Sequence, residues 1–540
     1  MKRKKGFTLV ELLAVIVVLA IILIIAVPGV LGIIQQSKEK AQEQQREMIE
    51  ETVRLYVTTD PDVVWAGENT KRTVVTLAML QAKGYLEKKI VDPKTKREIT
   101  CTKTTVIKNG HKFDYQTEFC DQVNASPRLT SNMIPIVYKD NKWVKADYTN
   151  KDNNWYDYDN QQWANMATVT ESTRDAYKKA DIGSEVKMSD ISMMFTWIPR
   201  YKYKLWNVDG TVGATDNVNL AGDKMIDVEF ETIGTTKSKG TQNGEWLTHP
   251  AFTLGGEELP GFWMAKFETG HGVATTGGEA IDNTVSPNKI VIKPSVYSWR
   301  NINMNNIFKT TTQIGAQPTL FGITTVDDIH LSRNMEWGAM AYLTNSRYGK
   351  TGNPDYTGDA RKPRFNSQLN GMTGCGGVTD SAPLSEVCET YETANGQAAS
   401  TTGNITGIYD TSGGLWEYVA GVMLAEDGQH VMGANSAMKQ DTLDQLWKNE
   451  TYLDVYAYSD TNADISRGHL GDATMELGPI ISKTWYQEYS SFVASYLNLT
   501  WFIRSGSINP ENNGAHAGPL AYARDSGIAS SVSGYRMVLR

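Results

Sequence analysis

The longest apolar stretch of the chain lies at its N-terminus. It begins at Phe7, is interrupted by Glu11, and contains no charged residue from Leu12 to Ile34. About 20 consecutive apolar residues are enough to cross a bilayer as a helix. The pattern therefore predicts a membrane-spanning helix over about residues 7–34. The four basic residues before it would stay cytoplasmic, which places the rest of the chain outside.

A second, polar helical pattern continues from the apolar one. Residues 35–58 are rich in Gln, Glu, Lys and Arg, which favour helix, so one helix is predicted over 7–58. Pro28 interrupts the backbone hydrogen bonds between the two halves, so a bend is expected there. The apolar residues of the polar half are expected to dock on a small sheet: Met48, Ile49, Val53, Leu55 and Val57.

Shorter patterns follow, and they indicate strands and turns. Residues 59–121 are predicted to form a small body in which Asn109-Gly110 marks a hairpin turn. The aromatic-rich β segment 122–200 is either a module of its own or the start of a larger domain over 201–540. The whole chain has 46 Gly and 25 Tyr, which favours β-rich, turn-rich architecture, and the predicted class is α+β.

The charge distribution argues against general nucleic-acid binding. The formal net charge is -8, whereas proteins that bind nucleic acid broadly carry clustered cations. One local exception runs from Lys83 to Lys112, where nine Lys or Arg stand against Glu87, Asp92 and Glu98. A solvated face is favoured over a phosphate-binding strip for this segment.

The cysteines and acidic residues indicate which disulfides and metal sites the chain could form. Cys101 with Cys120 and Cys375 with Cys388 form two close pairs, which in an exported chain predict two local disulfides. Neither pair has the spacing of a zinc site, so no metal cofactor is expected. Calcium is the one weak candidate, and the segment that could supply its oxygen ligands carries Asp152, Asp157 and Asp159. Without EF-hand spacing, a role of these residues in backbone turns is favoured.

The residues Lys5-Gly6-Phe7-Thr8-Leu9-Val10-Glu11-Leu12 resemble the leader of type IV prepilins and of type II secretion pseudopilins. By that resemblance, residues 1–6 are a leader peptide. Prepilin peptidase then cleaves between Gly6 and Phe7 and methylates the new amine of Phe7. Glu11 lies one helical turn along, and its carboxylate would pair with such an amine when helices bundle. Burial of a charge without a partner costs several kcal/mol, so the pairing is expected to set assembly register.

A second resemblance covers 201–540. It rests on FWMAKFETG, HLSRNMEWGAMAYLTNSRYG, GIYDTSGGLWEYVAG, FIRSGS and SGYRMVL, which are similar to motifs of the formylglycine-generating-enzyme, or sulfatase-modifying-factor, family. That family implies a large, irregular, β-rich domain of C-type-lectin-like fold. Gly413-Gly414 would form a tight turn that lets Trp416 pack inward, with Arg504 and Arg536 as structural ion partners.

The activity of that family is not expected here. Its enzymes place two catalytic cysteines after the motif that FIRSGS resembles, and the segment from Asn509 to Arg524 contains none. A fold of this type presents irregular loops that suit binding instead. The residues assigned as candidates for ligand contact are Trp485, Trp501, His516 and Tyr522.

The sequence therefore predicts a minor or tip-like type IV pilin, anchored in the cytoplasmic membrane by one span and then assembled into a surface filament. Its partners would be prepilin peptidase, other pilin subunits, the assembly machinery, the membrane, and a glycan or protein ligand of the C-terminal head. A pseudopilin of a type II secretion or DNA-uptake machine is the first alternative. An exported enzyme is the second.

Overall fold

The computed structural model forms two compact units, Met1–Val123 and Asn124–Arg540. The structure describes residues 44–540 except for a set of internal gaps: 46, 62, 64, 66–70, 88–89, 91–101, 110–111, 120–125, 131, 151–153, 206–224, 232, 234–245, 255–256, 325–326, 369, 379–386, 427–437, 439–441, 443–451, 459–468, 475–483, 485, 487, 489–498 and 507–516. The predicted membrane segment, residues 7–34, lies outside the described residues. Within the described part of the chain, no helix has the length and apolar character needed to cross a membrane.

The smaller unit combines helices with one sheet. Residues 44–45 and 47–59 are helical and form α1. The other elements are β1 (Lys71–Thr76), α2 (Leu77–Ala82), β2 (Thr102–Asn109) and β3 (Lys112–Phe119). The three strands pair antiparallel in the order β1-β2-β3, which confirms the predicted hairpin between β2 and β3.

One stripe of α1 builds the core of the smaller unit. Ile49, Val53 and Val57 recur every four residues and are all buried, as the spacing of a helical face requires. Val53 and Val57 pack with Val75 of β1 and Val106 of β2. The expected docking is wrong for two residues, because Met48 and Leu55 lie off this stripe and are 44% and 53% exposed.

The strands of the larger unit, in chain order, are β4 (Ile134–Lys139), β5 (Lys142–Lys145), β6 (Asn165–Val169), β7 (Ile191–Pro199), β8 (Tyr201–Lys204), β9 (Asp227–Phe230), β10 (Leu247–Thr248), β11 (Thr253–Leu254), β12 (Glu257–Glu258), β13 (Gly261–Ala265), β14 (Gly270–His271), β15 (Ile290–Val291), β16 (Ile329–Leu331), β17 (Cys375–Gly376), β18 (Glu389–Thr390), β19 (Trp416–Met423), β20 (Asp454–Tyr456), β21 (Trp501–Ser505), β22 (Gly518–Asp525), β23 (Ser533–Tyr535) and β24 (Met537–Leu539). Its helices are α3 (Glu171–Lys179), α4 (Met304–Thr312), α5 (Pro318–Phe321), α6 (Asn334–Thr344) and α7 (Ala394–Ala398).

Two sheets organise this unit. A seven-stranded antiparallel sheet has the order β16-β24-β13-β7-β6-β4-β5, so β24 is inserted between β13 and β16. Four of its strands, β4 to β7, come from the segment 122–200, which is therefore part of the larger unit. The second sheet has the order β20-β19-β21-β22, with β23 paired to β19.

The core of the larger unit is rich in tryptophan. Every residue of α6 is buried, and this helix packs against β22, β19 and β7. Six tryptophans are fully buried: Trp163, Trp197, Trp263, Trp299, Trp337 and Trp501. The architecture is mixed α and β with extensive sheet, as the predicted fold class requires. The C-type-lectin-like topology stays a prediction.

Candidate functional sites

The turn before β19 is built from two glycines in the left-handed region. Gly413 and Gly414 have φ values of 76° and 73°. A Cβ on Gly413 would lie 2.2 Å from the ring of Phe365, so this position has no room for a side chain. The expected turn is present, but the side chain that it turns inward is Leu415. Trp416 packs against the core, as expected, but its side chain stays partly exposed.

Buried charges surround this turn. Glu417, the second residue of β19, forms a two-point ion pair with Arg536. The Nε atom of Arg536 donates to Oε2 of Glu417 at 2.9 Å, and Nη2 donates to Oε1 at 2.6 Å. Arg536 also donates to the carbonyls of Ala265 and Tyr409, both at 2.8 Å. The guanidinium therefore joins β19 to the end of β13 and to the loop at Tyr409.

Two further carboxyl groups complete the charge cluster, which we define as Glu268, Asp410, Glu417 and Arg536. Glu268 accepts a hydrogen bond from the backbone N–H of Leu415 at 3.0 Å and another from the hydroxyl of Ser298. Asp410 accepts from the backbone N–H of Gly374 and from the side chain of Asn366, both at 2.9 Å. Glu268 therefore holds the residue that follows the glycine turn, and Asp410, which precedes the turn, holds the segment around Gly374.

Burial sets the protonation of the charge cluster. It raises the pKa of Glu268 well above its usual range, and the charges of Glu417 and Asp410 raise it further. Burial also raises the pKa of Glu417 to about 7, against the opposing charge of Arg536. The pKa of Asp410 is raised for the same reason. Glu268 therefore retains its proton at neutral pH, and every member of the cluster is at most 2% exposed.

Lys266 is a second buried charge close to the cluster in sequence. Its Nζ atom donates to the carbonyls of Ile405 at 2.8 Å and Gly407 at 2.6 Å. It also lies 5.3 Å from the ring centroid of Tyr409 and 5.5 Å from that of Trp143. Full burial lowers the pKa of Lys266 well below its usual range. The side chain closes the loop around residues 405–407 from inside and is not accessible to a substrate.

The two arginines expected as ion partners have different environments. Arg536 pairs with Glu417, as described above. Arg504 donates to the carbonyls of Ala473 and Pro519 and to the side chain of Asn334, each at 3.3 Å. Its guanidinium therefore binds carbonyl oxygens from three separate segments.

The expectation of exposed ligand-binding aromatic residues is wrong for Trp501 and Tyr522. Both are fully buried. Trp501 packs against Phe308, with ring centroids 5.9 Å apart, and the Tyr522 hydroxyl donates to the carbonyl of Thr474 at 3.0 Å. The physical reason is that β21 and β22 are covered on both faces. Trp485 and His516 lie outside the described residues.

The acidic turn proposed for calcium is occupied by protein contacts where the structure describes it. Asp157 accepts a hydrogen bond from the side chain of Asn160 at 2.7 Å, and Asp159 pairs with Arg347 at 3.5 Å. Asp152 lies outside the described residues. Among the residues that are described, no group of three or more His, Cys, Asp or Glu side chains is arranged to hold a metal ion.

One of the two predicted disulfides is confirmed. Cys375 and Cys388 are bonded, with their Cα atoms 5.0 Å apart. The bond joins β17 to the segment that leads into β18, and these strands pair with each other. Cys101 and Cys120 lie outside the described residues.

Sequence reasoning missed Lys266, Glu268 and Asp410. No local motif marks them, because their partners lie far away along the chain. Glu268 binds Ser298 and Leu415, and Asp410 binds Asn366 and Gly374. One signal was available in the sequence: these three charged residues stand within strands and turns that are otherwise apolar. Charged residues in such positions are usually buried together with a hydrogen-bonding or charged partner.

The comparison with protein families places the strongest functional signal at the N-terminus of the chain. Residues 1–27 match the prokaryotic N-terminal methylation motif. No curated protein matches the chain. The matched residues include Gly6, Phe7 and Glu11, which lie outside the residues described by the structure. The match ends at residue 27, and the resemblance of 201–540 to the formylglycine-generating-enzyme family receives no support from these comparisons.

The motif defines the class of the N-terminal segment. It indicates a type IV pilin-like or pseudopilin-like protein that is anchored in a membrane and exported to the surface. It also implies processing by prepilin peptidase and assembly with pilus machinery.

Proposed function

We propose that the chain is a minor or tip-like type IV pilin whose larger unit is a binding head. The observation that carries the proposal is the methylation motif at residues 1–27 on the same chain as a compact unit of residues 124–540. A unit of this size would be difficult to repeat along a tightly packed shaft, which favours a rare or terminal position. Residues 7–34 would hold the subunit in the membrane until assembly.

The head acts by binding a surface, glycan or protein in this proposal, and not by catalysis. Two observations support that choice. The segment from Asn509 to Arg524 contains no cysteine, and Cys375 is bonded to Cys388. In this proposal the head shares the C-type-lectin-like fold of the formylglycine-generating-enzyme family. It lacks the catalytic cysteines on which the chemistry of that family depends.

Glu11 gives the assembly test. Glu11→Ala removes the carboxylate that would pair with the methylated amine of Phe7 in a neighbouring subunit. We expect the variant to be exported and cleaved but lost from sheared filaments, as measured by immunoblot of membrane and filament fractions. Glu51→Gln is the matched control, since it removes an exposed carboxylate later in the chain. Normal incorporation of the Glu11→Ala variant would contradict the pairing.

Subunit abundance tests the minor position. Quantitative mass spectrometry of purified filaments should find this chain at a small fraction of the main subunit. Equal abundance would contradict a minor or tip-like role. Loss of protein secretion or DNA uptake on deletion, with adhesion intact, would favour the pseudopilin alternative.

The binding role is tested with residues 124–540 in a glycan and protein screen, with and without calcium. Specific binding that Trp485→Ala or His516→Ala abolishes would establish a head with its ligand site at those positions. Trp246→Ala is a control at a described, partly exposed tryptophan. Absence of binding in both conditions, together with turnover of a sulfatase-type peptide, would favour the enzyme alternative.

A further inference from the structure

A row of aromatic rings and cations lies on the smaller unit, and no function described above uses it. We define the cation–aromatic row as Arg54, Trp65, Lys108, Phe113 and Tyr115. All five side chains are partly or mostly exposed. We propose that this row binds single-stranded nucleic acid, with bases stacked on the rings and phosphates paired with the cations. The proposal does not depend on the function of the larger unit.

The geometry of the row alternates rings and charges. The ring centroids of Trp65 and Phe113 are 6.0 Å apart, and those of Phe113 and Tyr115 are 6.3 Å apart. The Lys108 amine lies 5.7 Å from the Trp65 centroid and 5.3 Å from that of Phe113. The Arg54 guanidinium lies 4.8 Å from the Tyr115 centroid. The cations therefore lie over the rings, so a strand would place its phosphates on the cations and its bases against the exposed parts of the rings.

The sheet explains why these rings form a row. In the antiparallel register, Val106 stands opposite Tyr115 and Lys108 stands opposite Phe113, so all four share one face. Val106 is buried under α1, while Lys108 and Phe113 lie one step further toward the hairpin end. The rings are thus packed against the core on one side and remain partly exposed. This rigidity lowers the entropy that a ligand must remove.

The charge at the row is not balanced within the protein. Among the described residues, Lys108 forms no ion pair with a carboxylate. Arg54 pairs only with Glu51, at 3.6 Å and with both side chains more than half exposed, where such pairs contribute little.

One further described cation lies at the hairpin end of the sheet. Lys112 begins β3 and is exposed. Cations alone would suit any polyanion, whereas rings between cations match the alternation of base and phosphate in a single strand.

The test measures the affinity of the full-length chain in detergent micelles for a fluorescent oligothymidylate by anisotropy, over a series of salt concentrations. Phe113→Leu should weaken binding roughly 5- to 100-fold, the range for loss of one stacked base. Lys108→Gln should weaken binding and lower the slope of log affinity against log salt by about 0.7, as for loss of one phosphate contact to a single strand.

Lys202→Gln is the matched control. Lys202 also lies over a tryptophan, with its amine 4.9 Å from the Trp246 centroid, but it belongs to the larger unit. This variant should bind like the unchanged protein. Because Phe113→Leu could disturb the smaller unit, Lys108→Gln is the variant that keeps the core intact. Hydrogen exchange of β2 and β3 reports whether each variant remains folded.

The proposal is overturned if the unchanged protein shows no salt-dependent binding, or if Lys108→Gln and Lys202→Gln bind alike. Equal affinity for duplex DNA, for an anionic polysaccharide or for phosphatidylglycerol vesicles would also overturn it, since these ligands carry charge without unstacked bases. Preference for the oligothymidylate over all three, lost in Phe113→Leu and Lys108→Gln, would establish it.

Discussion

The two units of this chain place their charges differently. In the larger unit, Glu268, Glu417 and Arg536 are fully buried and tie distant segments together. In the described part of the smaller unit, the buried residues are apolar apart from Thr104, and the ion pairs are at or near the surface. The larger unit therefore depends on buried charge for its structure, whereas the described part of the smaller unit depends on an apolar core.

Removal of a buried charge should have the largest effect. Arg536→Met leaves Glu417 and Asp410 without their guanidinium, and loss of one partner of a buried pair costs about 3–5 kcal/mol. Urea unfolding of residues 124–540 measures this change. Arg347→Met removes an exposed pair with Asp159 and should cost less than about 1 kcal/mol. If the two substitutions lowered the free energy of unfolding by similar amounts, buried charge would not stabilise this unit more than surface charge does.

The glycine turn beside the charge cluster should be almost as sensitive. Gly413→Ala places a Cβ at positive φ and against the ring of Phe365, so we expect a loss of about 3 kcal/mol. Gly358 also has a positive φ, of 58°, but a Cβ there meets open space. Gly358→Ala should therefore cost only about 1 kcal/mol. Equal losses in urea unfolding would show that backbone conformation alone matters at Gly413.

A buried histidine should make the larger unit sensitive to pH. His330 lies between Glu336, at 3.1 Å, and Asp328, at 3.4 Å, and Asp328 also pairs with Arg540. Burial opposes the charged form, but these carboxylates outweigh it and raise the pKa of His330 to about 9. A raised pKa stabilises the folded state below the unfolded value of about 6.5, and this stability is lost as pH rises to about 9.

The expected loss between pH 6.5 and 9 is at most about 3 kcal/mol. Urea midpoints of residues 124–540 across that range measure it. The ring of Tyr452 also faces His330, at 5.3 Å between centroids, but it carries no charge below its raised pKa. His330→Gln should flatten the dependence. If the urea midpoints of the unchanged protein and of His330→Gln changed in parallel with pH, groups other than His330 would cause the pH dependence.

The sequence was informative where partners lie close along the chain. Of the five apolar residues expected to dock, Ile49, Val53 and Val57 are buried, and Asn109-Gly110 predicted the β2–β3 hairpin. The bond between Cys375 and Cys388 was predicted from their proximity in sequence. Each of these features depends on local geometry, which a single sequence displays.

Features that depend on distant packing were missed or wrong. Trp501 and Tyr522 lie in strands covered on both faces, so no alternation of polar and apolar residues marked them as buried. Glu268 is satisfied by Leu415, which is more than a hundred positions away, and no motif joins the two. The cation–aromatic row was likewise visible only once the strand register placed Lys108 beside Phe113.

The smallest expected effect lies on the surface of the smaller unit. Glu51→Gln removes the exposed partner of Arg54 and should change stability by less than about 0.5 kcal/mol. Hydrogen exchange of the β2 and β3 amides in the full chain measures this unit separately from the larger one. Val53→Ala removes buried core atoms and should cost about 2 kcal/mol by the same measurement. If Glu51→Gln cost as much as Val53→Ala, surface charge would support the smaller unit too, and Arg54 would be a structural residue with little freedom to bind a phosphate.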